Sequence, residues 1–391
     1  MAGQHLRDPR NSGTSVARRG QEVGRDGNPP SVEDRAEGTA DLYHAVPSYW
    51  GSKSRGILLF GSQPFGLRAD EQVGWLTHGG GQALYDEMYG RFGLKPFLCG
   101  NSGVQWAGWF RNEINSMEDL QGLRYRTAGI ASEMASRVGM SVEAMSGPEM
   151  FQALQSGTID AGEFIGPWSD SALGYYQIAK NYYWPGVGEP SSAEECGINL
   201  EVYENLPEDL KQAVGWACES LYNPVWTEYT TNHAKALRQL VSDQGVQVRK
   251  LPDDVIVALG NAAGEVMSEL REDSDELVRR IVESFIEYRG LIREYMTYAD
   301  NGVMNARGLD YAYPEYDLPP AGAGRLPRAS PAGPRMNRVI AGLNWINRAV
   351  DYPNVIVHKY ACDGVYPDQP EFEALQHEPE ANADPTPSKR R

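Results

Sequence analysis

No stretch of about 18 or more apolar residues occurs in this 391-residue chain, so nothing in it reads as a membrane-crossing helix. Positive charge is scarce. The 36 lysines and arginines face 53 acids, a formal net charge of −17, which argues against nucleic acid as a partner because a phosphate backbone needs a basic face. Cysteine is sparse as well. Cys99, Cys196, Cys218 and Cys362 show no C-x-x-C spacing, which excludes a zinc-finger pattern and leaves any disulfide unassigned. The segment from Met1 to Glu37 has no apolar core between a positive start and a small-residue cleavage site. It is polar and without helical or strand period, so disorder is expected over residues 1–40 and, taken literally, no export.

What the chain does have is 41% hydrophobic and 23% charged residues over a length that suits two ordinary domains. ADLYHAVPSYWG (40–51) and RGILLFGSQPFG (55–66) are short apolar runs stopped by Gly and Pro, which read as strands and turns. A helix is expected from Ala69 towards Tyr89, then an extended stretch over 93–110, then a capping-box variant at Ser116 and Asp119 ahead of the strand-like LRYRTAG. Helices near 130–138 and 148–155 alternate with strands at VEAM and TIDAGEFIG, which implies an α/β layer with a mostly parallel sheet. From Pro207 to about Gln244 the apolar stripe Leu210, Val214, Ala217, Leu221 marks a long amphipathic helix that Pro224 should kink or split. Cys218 lies on that helix as a core thiol. A strand at QVRKLP and helices from about Asp253 and from Asp275 to Tyr298 complete the ordered part.

Four polar residues stand out. Glu163, in the Gly-bounded run GTIDAGEFIGP, is a carboxylate in apolar company and needs a positive partner or a metal. Arg126 ends a strand just before a Gly-bearing loop, where ligand sites form in α/β proteins, and its planar guanidinium can clamp a carboxylate through two parallel hydrogen bonds. Gln105 sits between Val104 and Trp106, and Glu189 follows the aromatic, Gly-rich loop YYWPGVG. On chemistry alone these residues fit two readings. Arg126 meets an anion while Glu163 and Glu189 meet a cation, or the two acids form the acid/base pair of a hydrolase. The absence of a well-placed His or Lys base weighs against an enzyme.

The stretches CGNSGVQWAGWFRNEINSMEDLQGLRYRTAG, MFQALQSGTIDAGEFIGPWSD, LGYYQIAKNYYWPGVGEP and VYENLPEDLKQAVGWACES closely resemble the solute-binding proteins of tripartite ATP-independent periplasmic (TRAP) transporters, the DctP family. Within that family the chain is most similar to the mannitol/chloroaromatic branch, whose characterised members bind 2-oxo acids. The resemblance covers about Asp41 to Gly308. It implies a two-lobed α/β protein that closes on its ligand, crossed by a long interlobe helix, and no enzymatic activity. It implies that Arg126 pairs with a substrate carboxylate, that Gln105 touches substrate and cation, and that Glu163 and Glu189 coordinate a sodium ion; calcium is allowed by the same ligand type. Phe164 stands where the family usually has Trp, keeping the main-chain carbonyl but offering a smaller ring without an N–H. Tyr49 and Trp50 resemble the family's aromatic pocket wall. The implied partners are a small organic acid, the TRAP membrane permease subunits and a second copy of the chain, and the implied location is the periplasm.

The ends depart from that pattern. Family members carry a signal peptide and a first strand, helix and strand, which residues 1–40 do not resemble, so an incomplete N-terminal lobe is expected, with impaired binding by a truncated or fused product as the alternative. Residues 309–335 read as a Pro/Gly/Ala linker and 336–391 as a non-family tail with one short amphipathic helix.

Overall fold

The computed structural model describes residues 41–313, so the expectations for residues 1–40 and for most of the linker and all of the tail fall outside the described residues. Two sheets organise the chain. The first has strands β1 (Leu42–Ala45), β2 (Leu94–Asn101) and β8 (Ala193–Asn199) in the order β1-β8-β2, both pairings antiparallel. The second has β3 (Gly108–Phe110), β4 (Arg124–Arg126), β5 (Ser141–Glu143), β6 (Ala161–Gly162), β7 (Asn181–Trp184) and β9 (Gln247–Lys250), in the order β5-β4-β6-β3-β7-β9. Its pairs β4/β5, β4/β6 and β7/β9 are parallel, while β3 runs against both neighbours. The mostly parallel sheet expected from the alternation of elements is therefore a mixed one, because β3 follows β2 from the other lobe and enters the second sheet from the opposite end.

The first lobe is built on helices α1 (Arg55–Gly61), α2 (Ala69–His78) and α3 (Gly81–Gly90). RGILLFG is helical, not the expected strand. Ser54 caps it by accepting from the Gly56 N–H at 3.2 Å, and six of its seven residues are buried, so the run shows no amphipathic period to separate helix from strand. The single helix expected from Ala69 to Tyr89 is two, split where Gly80 takes φ +81°. Phe60 stacks on Trp75 and Tyr85 with centroids 5.6 and 4.3 Å away, contacts worth about 0.5–1.5 kcal/mol each beyond their area. Helix α10 (Glu276–Tyr298), capped by the Asp275 side chain, closes this core with Leu277, Val278, Ile281, Val282 and Phe285.

In the second lobe, α4 (Gly129–Arg137) covers one face of the sheet, and α5 (Gly147–Ser156) and α6 (Pro167–Leu173) belong to the other. On that other face Tyr182 lies stacked between Trp106 and Trp109, at 4.4 and 4.0 Å. The capping box at Ser116 is present, with the Asp119 carboxylate accepting from the Ser116 N–H.

Two helices join the lobes. After the short α7 (Leu200–Glu204), α8 (Glu208–Gln244) runs unbroken for 37 residues, packing on β2 at one end and α6 at the other. Pro224 does not split it. Helix α9 (Asp253–Leu270) places Val255, Leu259 and Ala263 in the second-lobe core and Val266 and Leu270 in the first. Between the lobes, Arg55 of α1 donates twice to the Glu133 carboxylate of α4, at 2.6 and 3.3 Å. A small helix, α11 (Asp300–Arg307), follows α10.

Candidate functional site

Strands β4 and β6 run parallel with Arg126 opposite Gly162, so the residues leaving their ends come together. The Glu163 N–H donates to the Arg126 carbonyl at 3.0 Å. Arg126 is 7% exposed. Its Nε donates to the Met145 carbonyl at 2.9 Å, and its Nη1 donates to the Glu163 carbonyl at 2.6 Å and to Glu163 Oε1 at 3.1 Å. Nη2 has no hydrogen-bond partner among the described residues, which leaves half of the guanidinium fork for an incoming anion. The Phe164 ring lies under the guanidinium, its centroid 5.6 Å from Cζ.

Backbone pairing brings the other two candidates to the same place. The Gln105 N–H donates to the Glu189 carbonyl at 3.0 Å, and the Trp106 N–H to the Ile165 carbonyl at 3.3 Å. That knits the loops after β2, β6 and β7 into one wall. Gly186 makes the approach feasible, since a Cβ there would fall 1.6 Å from the Gln105 carbonyl oxygen. Gly108 does the same between β3 and β6, at φ +106° and with Gly162 O 2.2 Å from where a Cβ would sit. Gln105, Thr127, Glu163 and Glu189 border a cavity of about 40 Å³, whose remaining walls include Tyr125, Ala131, Met134 and Val187. By volume it has room for roughly two or three water-sized bodies.

The electrostatics are unbalanced. Burial pushes the Glu163 carboxyl up to about 7 against the pull of Arg126, and burial together with Glu163 raises Glu189 well above the ordinary carboxylate range. Two acids share one guanidinium. Moreover, among the described residues Glu163 Oε2 and Gln105 Oε1 are buried without a hydrogen bond of ordinary length, although the Thr127 hydroxyl is near enough to draw the Glu163 carboxyl down. Under-satisfied buried oxygens are costly, and the carboxylate and amide oxygens here are hard, so the residues present fit a hard cation such as sodium or calcium.

The loop carrying Glu163 is held from behind by a residue the sequence reading did not single out. Asp170, 1% exposed, accepts from Trp109 Nε1 at 2.9 Å, Tyr182 Oη at 2.8 Å, and the N–H groups of Ile165 and Gly166 at 3.3 and 3.1 Å. Burial raises its carboxyl to about 6, and those four donors restrain the rise. The signal was an acid in the first turn after Gly166-Pro167, within reach of free loop N–H groups. From α8, His233 Nδ1 accepts the Trp168 N–H at 3.1 Å. Burial lowers that imidazole to about 4, so it stays neutral near pH 7 and supplies no cation to the acids.

The two aromatic candidates separate. Tyr49, on the turn Pro47–Trp50 of the first lobe, is 46% exposed, and its hydroxyl is close enough to act electrostatically on Arg126. Trp50 is a correction. Its ring is buried in the first-lobe core with its indole N–H on Glu195 Oε1 at 2.6 Å, so it serves that core where a pocket wall was expected; neighbours in sequence on a tight turn take different surroundings.

Residues 30–273 match the family model described as bacterial extracellular solute-binding protein, family 7 (DctP). The chain belongs to that family. Family 7 members of known structure share its two-lobed α/β fold. A TRAP solute-binding protein from Pseudoalteromonas atlantica, solved with sodium and pyruvate, is 31% identical with a TM-score of 0.67, covering 71% of this chain and 84% of that one. One from Colwellia psychrerythraea, solved with calcium and pyruvate, is 31% identical at 0.67, covering 70% and 84%. A third, from Bordetella bronchiseptica, is 29% identical at 0.69, covering 73% and 84%, and was solved as a dimer with calcium and picolinate in one site and the other apo. Among characterised relatives, a monocarboxylate 2-oxoacid-binding periplasmic protein of Nostoc sp. is 31% identical over 252 residues, 64% of this chain and 69% of that protein. This family 7 chain is thus a TRAP-type solute-binding protein, and its family and fold are those of binding proteins rather than enzymes.

Proposed function

We propose that this protein captures a small 2-oxo acid together with a cation in the periplasm and delivers it to the membrane permease of a TRAP transporter. The observation that carries the proposal is the half-used Arg126 fork beside the under-satisfied oxygens of Glu163 and Gln105. In this reading Arg126 holds the substrate carboxylate. Glu163, Glu189, the Gln105 side chain and the Phe164 carbonyl hold the cation, which when bound supplies a positive charge for the substrate's oxygens. Phe164 and Tyr49 shape the rest of the pocket. Sodium is the first choice of ion and calcium the second; similar proteins solved with pyruvate hold one or the other.

No bond is broken in this cycle. Ligand and cation favour the closed arrangement of the lobes by supplying the charges the open site lacks, and residues 41–308 form the binding region. Pairing into a homodimer is part of the proposal, on the precedent of the Bordetella relative. A thermal-shift and calorimetry series with pyruvate and longer 2-oxo acids, each with and without sodium or calcium, tests it. Binding that requires both acid and cation, without product formation, is the expected result. Turnover, or no shift with any pair, overturns it.

A further inference from the structure

Away from the cleft, on the first-lobe sheet, four ligand-type side chains converge. His44 of β1 lies directly opposite Cys196 of β8. Cys99 sits in β2 where the register with β8 shifts between Leu98 and Gly100, an irregularity that leaves it without a ladder partner of its own. It is joined to Cys196 in a disulfide with Cα atoms 5.9 Å apart. Glu194, two residues before Cys196 and hence on the same face of β8, approaches His44 Nε2 to 3.3 Å. The ligand atoms of His44, Cys99 and Cys196 all lie within 4.8 Å of one another.

We propose that reduction of the Cys99–Cys196 disulfide converts this cluster into a site for a thiophilic divalent cation, zinc being the natural occupant, with Cys99, Cys196 and His44 as ligands, a water in the fourth position and the Glu194 carboxylate holding the imidazole. Two thiolates and an imidazole form a set that suits zinc and discriminates against the hard ions of the cleft. A tetrahedral zinc with Zn–S near 2.3 Å separates two sulfurs by about 3.8 Å, a modest opening for side chains on adjacent strands. Cys99 and Glu194 are buried, while the His44 side chain is 27% exposed and Cys196 partly so, which gives the metal an entry path.

The chemistry balances with a small dithiol as reductant. It passes two electrons and two protons to the S–S bond, leaves as its own cyclic disulfide, and yields the Cys99 and Cys196 thiols. Metal binding then releases those two protons to solvent. The site would thus report the redox state of the compartment as metal held or metal lost.

The test uses the full chain, oxidised or reduced with dithiothreitol and then freed of reductant without air, titrated with cobalt(II) and with zinc. Expected is one equivalent of cobalt bound by the reduced protein, with sulfur-to-cobalt charge-transfer absorption, and no such absorption from the oxidised protein. His44→Ala should weaken zinc binding by about 10-fold or more, since even losing a hydrogen-bond partner of a metal ligand costs that much. Cys218 and Cys362 remain in a Cys99→Ser chain and set the background. If that variant does not fold, the unmutated chain in its two redox states carries the test. Absence of the charge-transfer band from reduced protein overturns the proposal, as does a His44→Ala chain that binds zinc as before, or a reduced chain that unfolds and is not recovered by zinc.

Discussion

Two buried glutamates, one in each lobe, have been treated in opposite ways. Glu195, fully buried in the first lobe, accepts from Tyr43 Oη at 3.0 Å, Trp50 Nε1 at 2.6 Å, and the hydroxyls of Tyr85 and Tyr89. All four donors are neutral, and both carboxylate oxygens are occupied. Glu163, at the edge of the second lobe, has a guanidinium beside one oxygen and, among the described residues, no hydrogen bond of ordinary length on the other. The contrast separates an acid that finishes a core from one that, in the proposed reading, receives a ligand's cation. A structural carboxylate is answered from within the fold, whereas Glu163 is answered only in part.

The sharpest way to break that contrast is to remove the positive charge from the open site. Arg126→Ala is expected to weaken 2-oxo acid binding by about 10²- to 10³-fold, on the ~3–5 kcal/mol scale of breaking a buried charged pair, with calorimetry as the readout. Unchanged affinity would mean that the clamp has been assigned to the wrong residue.

Glu195→Gln attacks the closed site. It replaces an acceptor of four donors by an amide whose NH₂ must oppose one or two of them, so a stability loss of about 2–3 kcal/mol is expected in denaturant unfolding, with ligand affinity per folded molecule unchanged. A loss of cation selectivity there would blur the distinction between the two acids.

pH sharpens it further. The Glu163 carboxyl is raised in the folded protein, so this group's contribution to stability is full below its unfolded value near 4.5 and is lost as pH climbs through about 7. In the ligand-free protein the loss is on the order of 3 kcal/mol. Cation binding replaces the proton, so the stabilisation by sodium or calcium should grow over that same window. Glu163→Gln should make both curves shallower in a thermal-shift series from pH 5 to 8.5, leaving the part that Asp170 and Glu189 contribute.

Phe164→Trp is the mildest change. It enlarges the ring beneath Arg126 without altering the main-chain carbonyl, and is expected to shift affinity by less than about tenfold while changing the preference among 2-oxo acids of different length.

The cleft was the more legible of the two sites. Arg126 at a strand end, and Glu163 in a Gly-bounded apolar run, carry their chemistry in local context, and parallel pairing of two short strands is enough to join them. The long helix and the helix starting near Asp275 were equally plain, because apolar period is a local signal. The Glu195 network was not readable. Its four donors come from β1, the turn after it and α3, up to 152 residues away, and nothing near SSAEECGIN marks the acid as buried. The Cys99–Cys196 bond, with 97 residues between its ends, hid for the same reason. RGILLFG misled because a helix buried on every side has no polar face, and Trp50 because the direction of a side chain on a tight turn is set by tertiary packing.

Helix α8 has a further consequence, and it is arithmetical. The twenty rises from Pro224 to Gln244 make an arm of about 30 Å, so a bend of only about 10° at the proline sweeps its tip through roughly 5 Å. Its base packs on β2 and its tip lies in the second lobe. A helix so placed would magnify angle into travel, and Pro224, which leaves one backbone hydrogen bond unmade, marks the point where the smallest bend would move the mouth between the lobes the most.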